Sequence, residues 1–420
     1  MGYLQTFFGE DADLVYDRGF QGLLLASVVS PLGSSVVSPL LDTLTGVYGV
    51  SEAQIGLLMA AFTAPAIVVI PLVGVLSDRY GRVPILTSGL VLFSASGVAL
   101  AGTTGFRVAL LLRFLQGVGY AGIAPVLIAA VGDLYAGDRE ATAQGLRFTV
   151  VGVSLTVFPL VAGLAVAFAW QYPFLLFALG LPAAVAVFLL LDEPSEGRDR
   201  PAESTAGGEG GDASTLRGLL TVFRRPAVAA TVVGRTVLSF LWFCFLTYNS
   251  IVVVQLLDGT AGRAGVLVAL ASAASALGAT QVGRLTAAFE TRRSPLVGGT
   301  LACAVGLATL GVAPSLVVAG VGSLCIGLGF GVVLSLYRSL ATALPPETLR
   351  GSLVSVVESV GRVGSTTAPL VVGALVALSR PALGFGGAVR YTLVGVAAVA
   401  MLVGGACAVV ADAGGSASPT

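Results

Sequence analysis

Residues 57–82, LLMAAFTAPAIVVIPLVGVLSDRYGR, join a long apolar run to a charged turn. The run from 57 to 76 contains no charged residue and has about the 20 residues that a helix needs to cross a bilayer. The turn then brings Asp78, Arg79 and Arg82 close together in the chain. Arginines collect in short cytoplasmic loops, so the stretch predicts a transmembrane helix that ends on the cytoplasmic side.

The rest of the chain repeats this composition. Of its 420 residues, 56% are hydrophobic and 10% are charged, and the mean hydropathy is +0.95. Soluble domains carry about 25% charged residues, so an ordinary soluble fold is excluded. Apolar runs of spanning length are predicted at 20–43, 52–76, 83–102, 106–130, 143–168, 172–191, 227–254, 262–285, 295–313, 315–341, 351–378 and 389–411.

These runs form two sets of six, separated by a polar interval rich in Gly, Pro, Ser and charge. With the N-terminus inside, fourteen arginines lie in cytoplasmic loops and helix ends and four lie in outer loops. Both termini and the linker are therefore predicted in the cytoplasm, and the protein in the cell membrane. The predicted organisation is a tail at 1–19, a six-helix bundle at 20–191, a linker at 192–226, a second bundle at 227–411 and a tail at 412–420.

Two short strings of the first set recur in the second. Gly74-Val-Leu-Ser77 returns 209 residues later as Gly283-Arg-Leu-Thr286. Pro159-Leu-Val-Ala-Gly163 returns 210 residues later as Pro369-Leu-Val-Val-Gly373. Each string lies in the corresponding helix of its set, which predicts an all-α membrane protein built from two pseudo-symmetric bundles. Repeated bundles are the usual architecture of secondary transporters.

The composition also argues against most enzyme chemistry. All 22 basic residues are arginine, and the chain has no histidine. A lysine Schiff base, a P-loop lysine, a Ser-His-Asp triad and a histidine metal cage are all excluded. We therefore expect neither an enzyme nor a cofactor or metal site, and the zero net charge gives no basic patch for nucleic acid.

The turn from Gly74 to Arg82 closely resembles motif A, the signature loop of the major facilitator superfamily. The resemblance implies twelve helices in two bundles and a conformational latch in which Asp78 pairs across the interface between the bundles. The plainer alternative is a positive-inside turn with a surface ion pair. The residues implied in the latch are Gly74, Asp78, Arg79, Gly81 and Arg82.

Span four contains Arg113-Phe-Leu-Gln116-Gly117, which is similar to motif B of the same family. Arg113, Gln116 and Tyr120 share one helical face. Arg113 lies well inside the span, where a charge is expensive and usually functional. One interpretation is that Arg113 and Gln116 position a solute or relay charge, and the other is that Arg113 forms a structural buried ion pair.

Span five matches motif C, which the family associates with antiport, at three of six positions: Gly145, Pro159 and Gly163. The partial match weakens an inference of antiport. Small residues that let helices pack closely explain the same pattern equally well.

Glu358 is the only acidic residue well inside a predicted span, which makes it the best candidate for a proton carrier. Arg362 follows four residues later, in the favourable order for a helical ion pair. Glu358, Arg362 and Arg113 are the predicted coupling groups, and a permanently closed Glu358–Arg362 pair with a structural role is the alternative.

In this superfamily, helices one, four, seven and ten line the solute cavity. The resemblance therefore implies that polar residues of the corresponding spans line a cavity here. Serines in such spans also serve as packing contacts, and arginines near span ends also snorkel to the interface. The implied cavity residues are Ser34, Ser38, Arg113, Gln116, Tyr120, Arg235, Trp242, Asn249, Tyr337 and Arg338.

The sequence as a whole most resembles the twelve-helix drug:proton antiporter-like branch, which implies alternating access and proton-coupled efflux of a small amphipathic compound. Proton-coupled uptake of a small organic anion is the alternative, because four arginines outnumber Glu358 within the spans. A non-transporting sensor or scaffold is a third possibility, but it would be expected to lose Asp78 and the charges inside the spans. The expected partners are the solute, protons and the bilayer, and the protein is expected to work as a monomer.

Overall fold

The computed structural model describes residues 9–193, 225–289, 291–344 and 350–413, and that part of the chain is helical without strands. Apolar runs form helices in a membrane because a helix satisfies its own backbone hydrogen bonds. The all-α fold class is confirmed. The first ten long helices are α1 Arg18–Tyr48, α2 Glu52–Tyr80, α3 Arg82–Gly102, α4 Phe106–Leu134, α5 Gly137–Ala165, α6 Tyr172–Leu190, α7 Pro226–Leu256, α8 Ala261–Thr280, α9 Arg293–Val312 and α10 Leu316–Ala343.

The last helical segment, Arg350–Ala413, is two membrane helices joined at a sharp bend. Gly384 there has φ 67° and ψ 172°, a conformation that favours glycine. The chain folds back at this bend, because Ser379 and Tyr391 line the same groove. Residues 350–383 form α11 and residues 385–413 form α12, so the predicted total of twelve spans is confirmed.

Two helices are interrupted inside the first bundle, which comprises α1 to α6. α1 breaks into short turns near Pro31 and Pro39, where proline removes a backbone donor. α4 pauses at Gly122 and Ile123 before it resumes. Both helices extend past the predicted 20–43 and 106–130.

The second bundle, α7 to α12, repeats the packing of the first. A Cβ atom added at Gly89 of α3 would lie 2.9 Å from the carbonyl oxygen of Gly119 in α4. A Cβ atom added at Gly299 of α9 would lie 3.2 Å from the carbonyl oxygen of Gly329 in α10. Both glycines of the second pair lie 210 residues after those of the first. The pseudo-symmetry predicted from the repeated strings is therefore present in the helix contacts.

The two bundles are joined at the end opposite the motif A turn. Ser38 of α1 donates a hydrogen bond to the Leu246 carbonyl of α7 at 2.5 Å. Arg380 of α11 pairs with Glu52 of α2 at 3.2 Å. These contacts place the boundary between the bundles along α1, α2, α7 and α11. Most of the predicted linker and the ends of both predicted tails lie outside the described residues, as do 345–349.

Candidate solute and proton sites

The motif A turn is held by ion pairs within the first bundle. Gly81 has φ 99°, a value that favours glycine and lets α2 turn directly into α3. The Arg82 guanidinium pairs with Asp78 at 2.5 Å and with Asp133 of α4 at 2.8 Å. These pairs tie together the ends of α2, α3 and α4, and the latch between the bundles stays a prediction.

Two other motif A residues lie apart from these ion pairs. A Cβ atom added at Gly74 has no neighbouring atom within 4 Å among the described residues, so this glycine is not at a close helix contact. Arg79 is exposed, and its guanidinium carbon lies 5.5 Å from the centre of the Tyr80 ring. Neither residue contributes to the ion pairs of the turn that are described above.

Glu193 completes the motif A turn and was missed by the sequence analysis, which placed it in the linker. Its carboxylate accepts hydrogen bonds from the backbone amides of Arg82 and Val83, the latter at 3.1 Å. An acidic group at a helix N-terminus satisfies free amides and favours the helix dipole. The available signal was a pair of adjacent acids, Asp192 and Glu193, directly after α6, a helix that ends on the same side as the turn.

Arg113 is buried in α4 among neutral partners, with 1% of its surface exposed. Its Nε donates to the Leu58 carbonyl of α2 at 3.0 Å, and its Nη1 donates to Gln116 Oε1 at 2.5 Å. Its guanidinium carbon lies 4.4 Å from the centre of the Phe62 ring. The described hydrogen-bond partners of Arg113 carry no charge, so the alternative of a buried ion pair is not supported.

A line of adjacent guanidinium and aromatic groups leads from Arg113 into the second bundle. The Phe62 ring lies 5.3 Å from the Tyr120 ring, measured between centres. The Tyr120 hydroxyl accepts a hydrogen bond from Arg362 Nη2 of α11 at 3.3 Å, and the same guanidinium lies 5.3 Å from the ring centre. Two of the predicted coupling groups, Arg113 and Arg362, therefore lie on opposite sides of the boundary between the bundles.

Glu358 of α11 bridges two arginines from neighbouring helices. Its Oε2 lies 3.2 Å from Arg235 Nη2 of α7, and its Oε1 lies 3.1 Å from Arg338 Nε of α10. The predicted ion pair between Glu358 and Arg362 is wrong, because α7 and α10 supply nearer guanidiniums. Arg362 remains within electrostatic reach of the carboxylate. We call Arg235, Arg338, Glu358 and Arg362 the charged cluster.

Access to the charged cluster is uneven. Arg235 is 7% exposed and its Nη1 donates to Ser239, so this arginine does not snorkel. The Arg338 side chain is 48% exposed and that of Glu358 is 27% exposed, so the cluster is open along one edge. Arg147 of α5, one of the fourteen arginines assigned to cytoplasmic loops and helix ends, lies within electrostatic reach of Arg338.

Three predicted cavity residues serve helix packing instead. Ser38 is fully buried and uses its hydroxyl in the contact between α1 and α7. The Asn249 side-chain amide donates to the Ala264 carbonyl of α8 at 2.9 Å. Tyr337 is 1% exposed and packs beside Gly234. Their spans were predicted correctly, but the sequence did not show which face of each helix meets a neighbour.

Three other predicted cavity residues have different surroundings. Trp242 stacks on Phe330 of α10, with ring centres 4.3 Å apart and planes at 24°. Trp242 lies seven residues beyond Arg235, or about 10 Å along the helix. Gln116 is fully buried and bound to Arg113, whereas Ser34 is half-buried.

The motif C positions contribute to the contact between the bundles. A Cβ atom added at Gly163 of α5 would lie 2.7 Å from the Ala261 carbonyl of α8, and the Pro159 carbonyl lies against Gly265. Gly145 has no neighbour within 4 Å of an added Cβ atom. Two of the three positions thus support the packing interpretation, which needs no antiport.

A separate groove of about 600 Å³ lies between α7, α11 and α12. Its lining is apolar, and its residues Val371, Leu375 and Val399 are exposed on the surface that would face lipid. The groove shares no residue with the charged cluster or with the predicted cavity.

Sequence comparison places this architecture in a known family. The profile of the Major Facilitator Superfamily matches residues 23–369, and the chain belongs to that superfamily. It is 31% identical to the bacillibactin exporter of Bacillus subtilis over 43% of this chain and 48% of the relative. It is 26% identical to the quinolone resistance protein NorA of Staphylococcus aureus over 39% of this chain and 43% of the relative. The matched segments thus span about half or less of these relatives.

Solved structures show the same fold over nearly the whole chain. An inward-facing, occupied bacterial homologue of the human lysosomal transporter Spinster matches with a TM-score of 0.75 at 18% identity, over 93% of this chain and 96% of that one. The human organic anion transporter TETRAN matches with a TM-score of 0.65 at 17% identity, over 92% and 99%. These similarities show the fold. The superfamily to which the chain belongs is one of multi-pass membrane transporters and is not a family of enzymes.

Proposed function

We propose that the protein exports a small amphipathic compound by alternating access and that Glu358 is the group that binds the coupling proton. The observation that carries the proposal is the position of Glu358, a carboxylate inside a span that is shared by three helices of the second bundle. Tyr120 connects the neighbouring Arg362 to the first bundle, so a rocking motion would change the surroundings of this carboxylate. The names of the bacillibactin exporter and NorA support the direction of transport.

The same proposal gives the two ends of the protein different tasks. The contacts of Ser38 with Leu246 and of Glu52 with Arg380 close one end and must open for release. At the other end, the motif A turn, which the Arg82 pairs hold in shape within the first bundle, would act as the latch against the second bundle. We place that end in the cytoplasm of the cell together with both termini, because most arginines lie there.

A second candidate function is proton-coupled uptake of a small organic anion. It is favoured by the charged cluster, in which three guanidiniums surround one carboxylate. Uptake and efflux differ in the sign of the flux that a given pH gradient drives, so one assay separates them.

The test is solute flux in reconstituted vesicles with an imposed pH gradient, comparing the native chain with Glu358→Gln. The gradient-driven part of the flux should fall to the level seen without a gradient. Glu140→Gln, the same exchange in the first turn of α5, should keep that part. Unchanged gradient-driven flux in Glu358→Gln would remove Glu358 from the coupling mechanism.

A further inference from the structure

The charged cluster carries more positive charge than Glu358 neutralises. We propose that Arg235, Arg338 and Arg362 form the binding site for the acidic group of an amphipathic solute, and that Glu358 occupies this site as an internal anion when no solute is bound. The inference rests on the proposed alternating-access transport and, because a proton and an anion would then be carried together, it fits proton-coupled uptake of an anion, the second candidate function.

The way Glu358 is held supports replacement by another anion. Its two oxygens contact different arginines, Arg235 and Arg338, at 3.2 Å and 3.1 Å. Charge-assisted hydrogen bonds are usually about 2.7–2.9 Å long, and the strongest arginine pairs are bidentate to one guanidinium. Glu358 therefore forms no bidentate pair with either guanidinium, and its side chain is 27% exposed.

Donors in the cluster remain unused around the carboxylate. Arg235 Nε and Arg362 Nε are buried without a hydrogen-bond partner among the described residues, and so is the hydroxyl of Ser359 next to Glu358. Buried donors without partners are unfavourable, and a carboxylate has only two oxygens to offer. A sulfonate or phosphonate group carries a third oxygen, so it matches the available donors better than Glu358 does.

The charges around the cluster also favour an anion. In the described part of the chain, the charged groups within electrostatic reach of Arg235 are Glu358, Arg338 and Arg362. The first bundle adds Tyr120, which binds Arg362, and Arg147, which is near Arg338. Glu358 is thus the one acidic group among the charges that these contacts bring together, and its removal leaves an excess of positive charge.

An aromatic pair supplies the apolar part of the site. Trp242 and Phe330 stack on each other between α7 and α10, the helices that carry Arg235 and Arg338. By helical rise, the pair lies about 10 Å from the arginines. A solute with an acidic head and an aromatic body matches this spacing.

The arrangement couples solute binding to the charge of Glu358. A proton on Glu358 removes its negative charge and frees the guanidiniums for the solute anion. By linkage, proton binding and anion binding should then favour each other. Glutamine at position 358 reproduces the uncharged side chain and should increase the affinity for an anion.

The test measures binding to the purified full chain in detergent at low chloride. The probes are 1-naphthalenesulfonate, neutral 1-naphthalenesulfonamide and a naphthyl trimethylammonium ion, which share one ring system. The sulfonate should bind about tenfold more tightly to Glu358→Gln than to the native chain, and about tenfold more weakly to Arg338→Gln. Glu140→Gln should bind it like the native chain, and the other two probes should change little.

Failure of this inference is distinct from failure of the proposed function. Sulfonate binding that is absent in both the native chain and Glu358→Gln, or weaker in Glu358→Gln, overturns the anion site even if efflux of other solutes is observed. Sulfonate binding with the expected changes supports the site even if no gradient-driven flux is found. Arg362→Gln serves as the second variant if Arg338→Gln does not fold, and it should also weaken sulfonate binding.

Discussion

The two bundles share one packing scheme but place buried charge differently. Gly119 of α4 and Gly329 of α10 make equivalent contacts, and the same offset of 210 residues relates Arg113 to Ser323. Arg113 reaches across to α2, whereas the Ser323 hydroxyl turns back to the Ala319 carbonyl of its own helix at 2.9 Å. The equivalent position thus carries a charge in only one bundle.

The reverse holds between α5 and α11. The same offset relates Glu358 to Phe148 and Arg362 to Gly152, so the charges of α11 have no charged equivalents in α5. Each bundle needs a small residue where two helices pack closely, because a larger side chain would clash with the backbone of the neighbouring helix. A charge inside a span is costly, so it is retained where it has a task. The comparison shows that the two bundles share the positions of their packing glycines but differ in the positions of their buried charges.

Among variants that test the difference between the bundles, the largest loss of stability is expected from Arg235→Met in the charged cluster. The change leaves Glu358 with fewer positive partners in a largely buried position. We expect the free energy of unfolding in mixed micelles to fall by about 3 kcal/mol, the low end for breaking a buried pair, because Arg338 still pairs with Glu358. A value near zero would contradict the view that the pair of Arg235 with Glu358 stabilises the second bundle.

The next effect is expected from Arg113→Met in the first bundle. The single change leaves Gln116 Oε1 buried without a donor, which should cost about 1–3 kcal/mol of unfolding free energy. Arg113→Met combined with Gln116→Leu removes both partners and should recover most of that loss. If Arg113 positions a solute or relays charge, transport should be lost in both variants. A double variant as unstable as the single one would show that the charge of Arg113 itself stabilises the fold.

A smaller loss of stability is expected from Tyr120→Phe, which tests the hydrogen bond between Tyr120 of the first bundle and Arg362 of the second. It removes the hydroxyl that accepts from Arg362 and keeps the ring, so it should cost about 1 kcal/mol. Distances between spin labels on the two bundles should also shift, because this hydrogen bond crosses the boundary.

The matched control for that variant is Tyr135→Phe, whose hydroxyl donates to Asp17 at 2.8 Å within the first bundle. Burial and the nearby Asp17 carboxylate both raise the pKa of Tyr135, so this hydroxyl stays protonated at neutral pH. Tyr135→Phe should leave the distances between the bundles unchanged. Equal shifts in both variants would mean that the Tyr120 hydrogen bond has no special part in joining the bundles.

The smallest effect is expected from Glu52→Gln at the opposite end of α2. Its partner Arg380 has a side chain that is 52% exposed, and exposed pairs contribute less than about 1 kcal/mol. The loss should shrink further in high salt because exposed charges are screened. Thermal unfolding in detergent at low and at high salt measures the loss of stability under each condition. A loss as large as that of Arg235→Met would show that the exposed pair stabilises the fold as much as the charged cluster does.

Much of the fold could be predicted because membrane spans are long, apolar and bounded by charged turns. The motif A turn, the repeat and the intramembrane charges of Arg113 and Glu358 were all visible in the chain. The partners of those charges were not visible, since Arg235 and Glu358 are 123 residues apart and meet through helix packing. The nearby Arg362 was the expected partner because sequence reasoning sees only neighbours along one helix.

The sequence by itself determined that this protein crosses a membrane twelve times in two related bundles, since apolar length and arginine position act locally along each span. The tertiary structure alone decided which charges meet. Helix rotation sets which face of a span turns toward a neighbour, and that rotation depends on contacts such as those of Gly119 and Gly329, which come from distant parts of the chain. For this reason Asn249 and Tyr337 are buried in contacts between helices, whereas Glu358 lies between arginines of other helices.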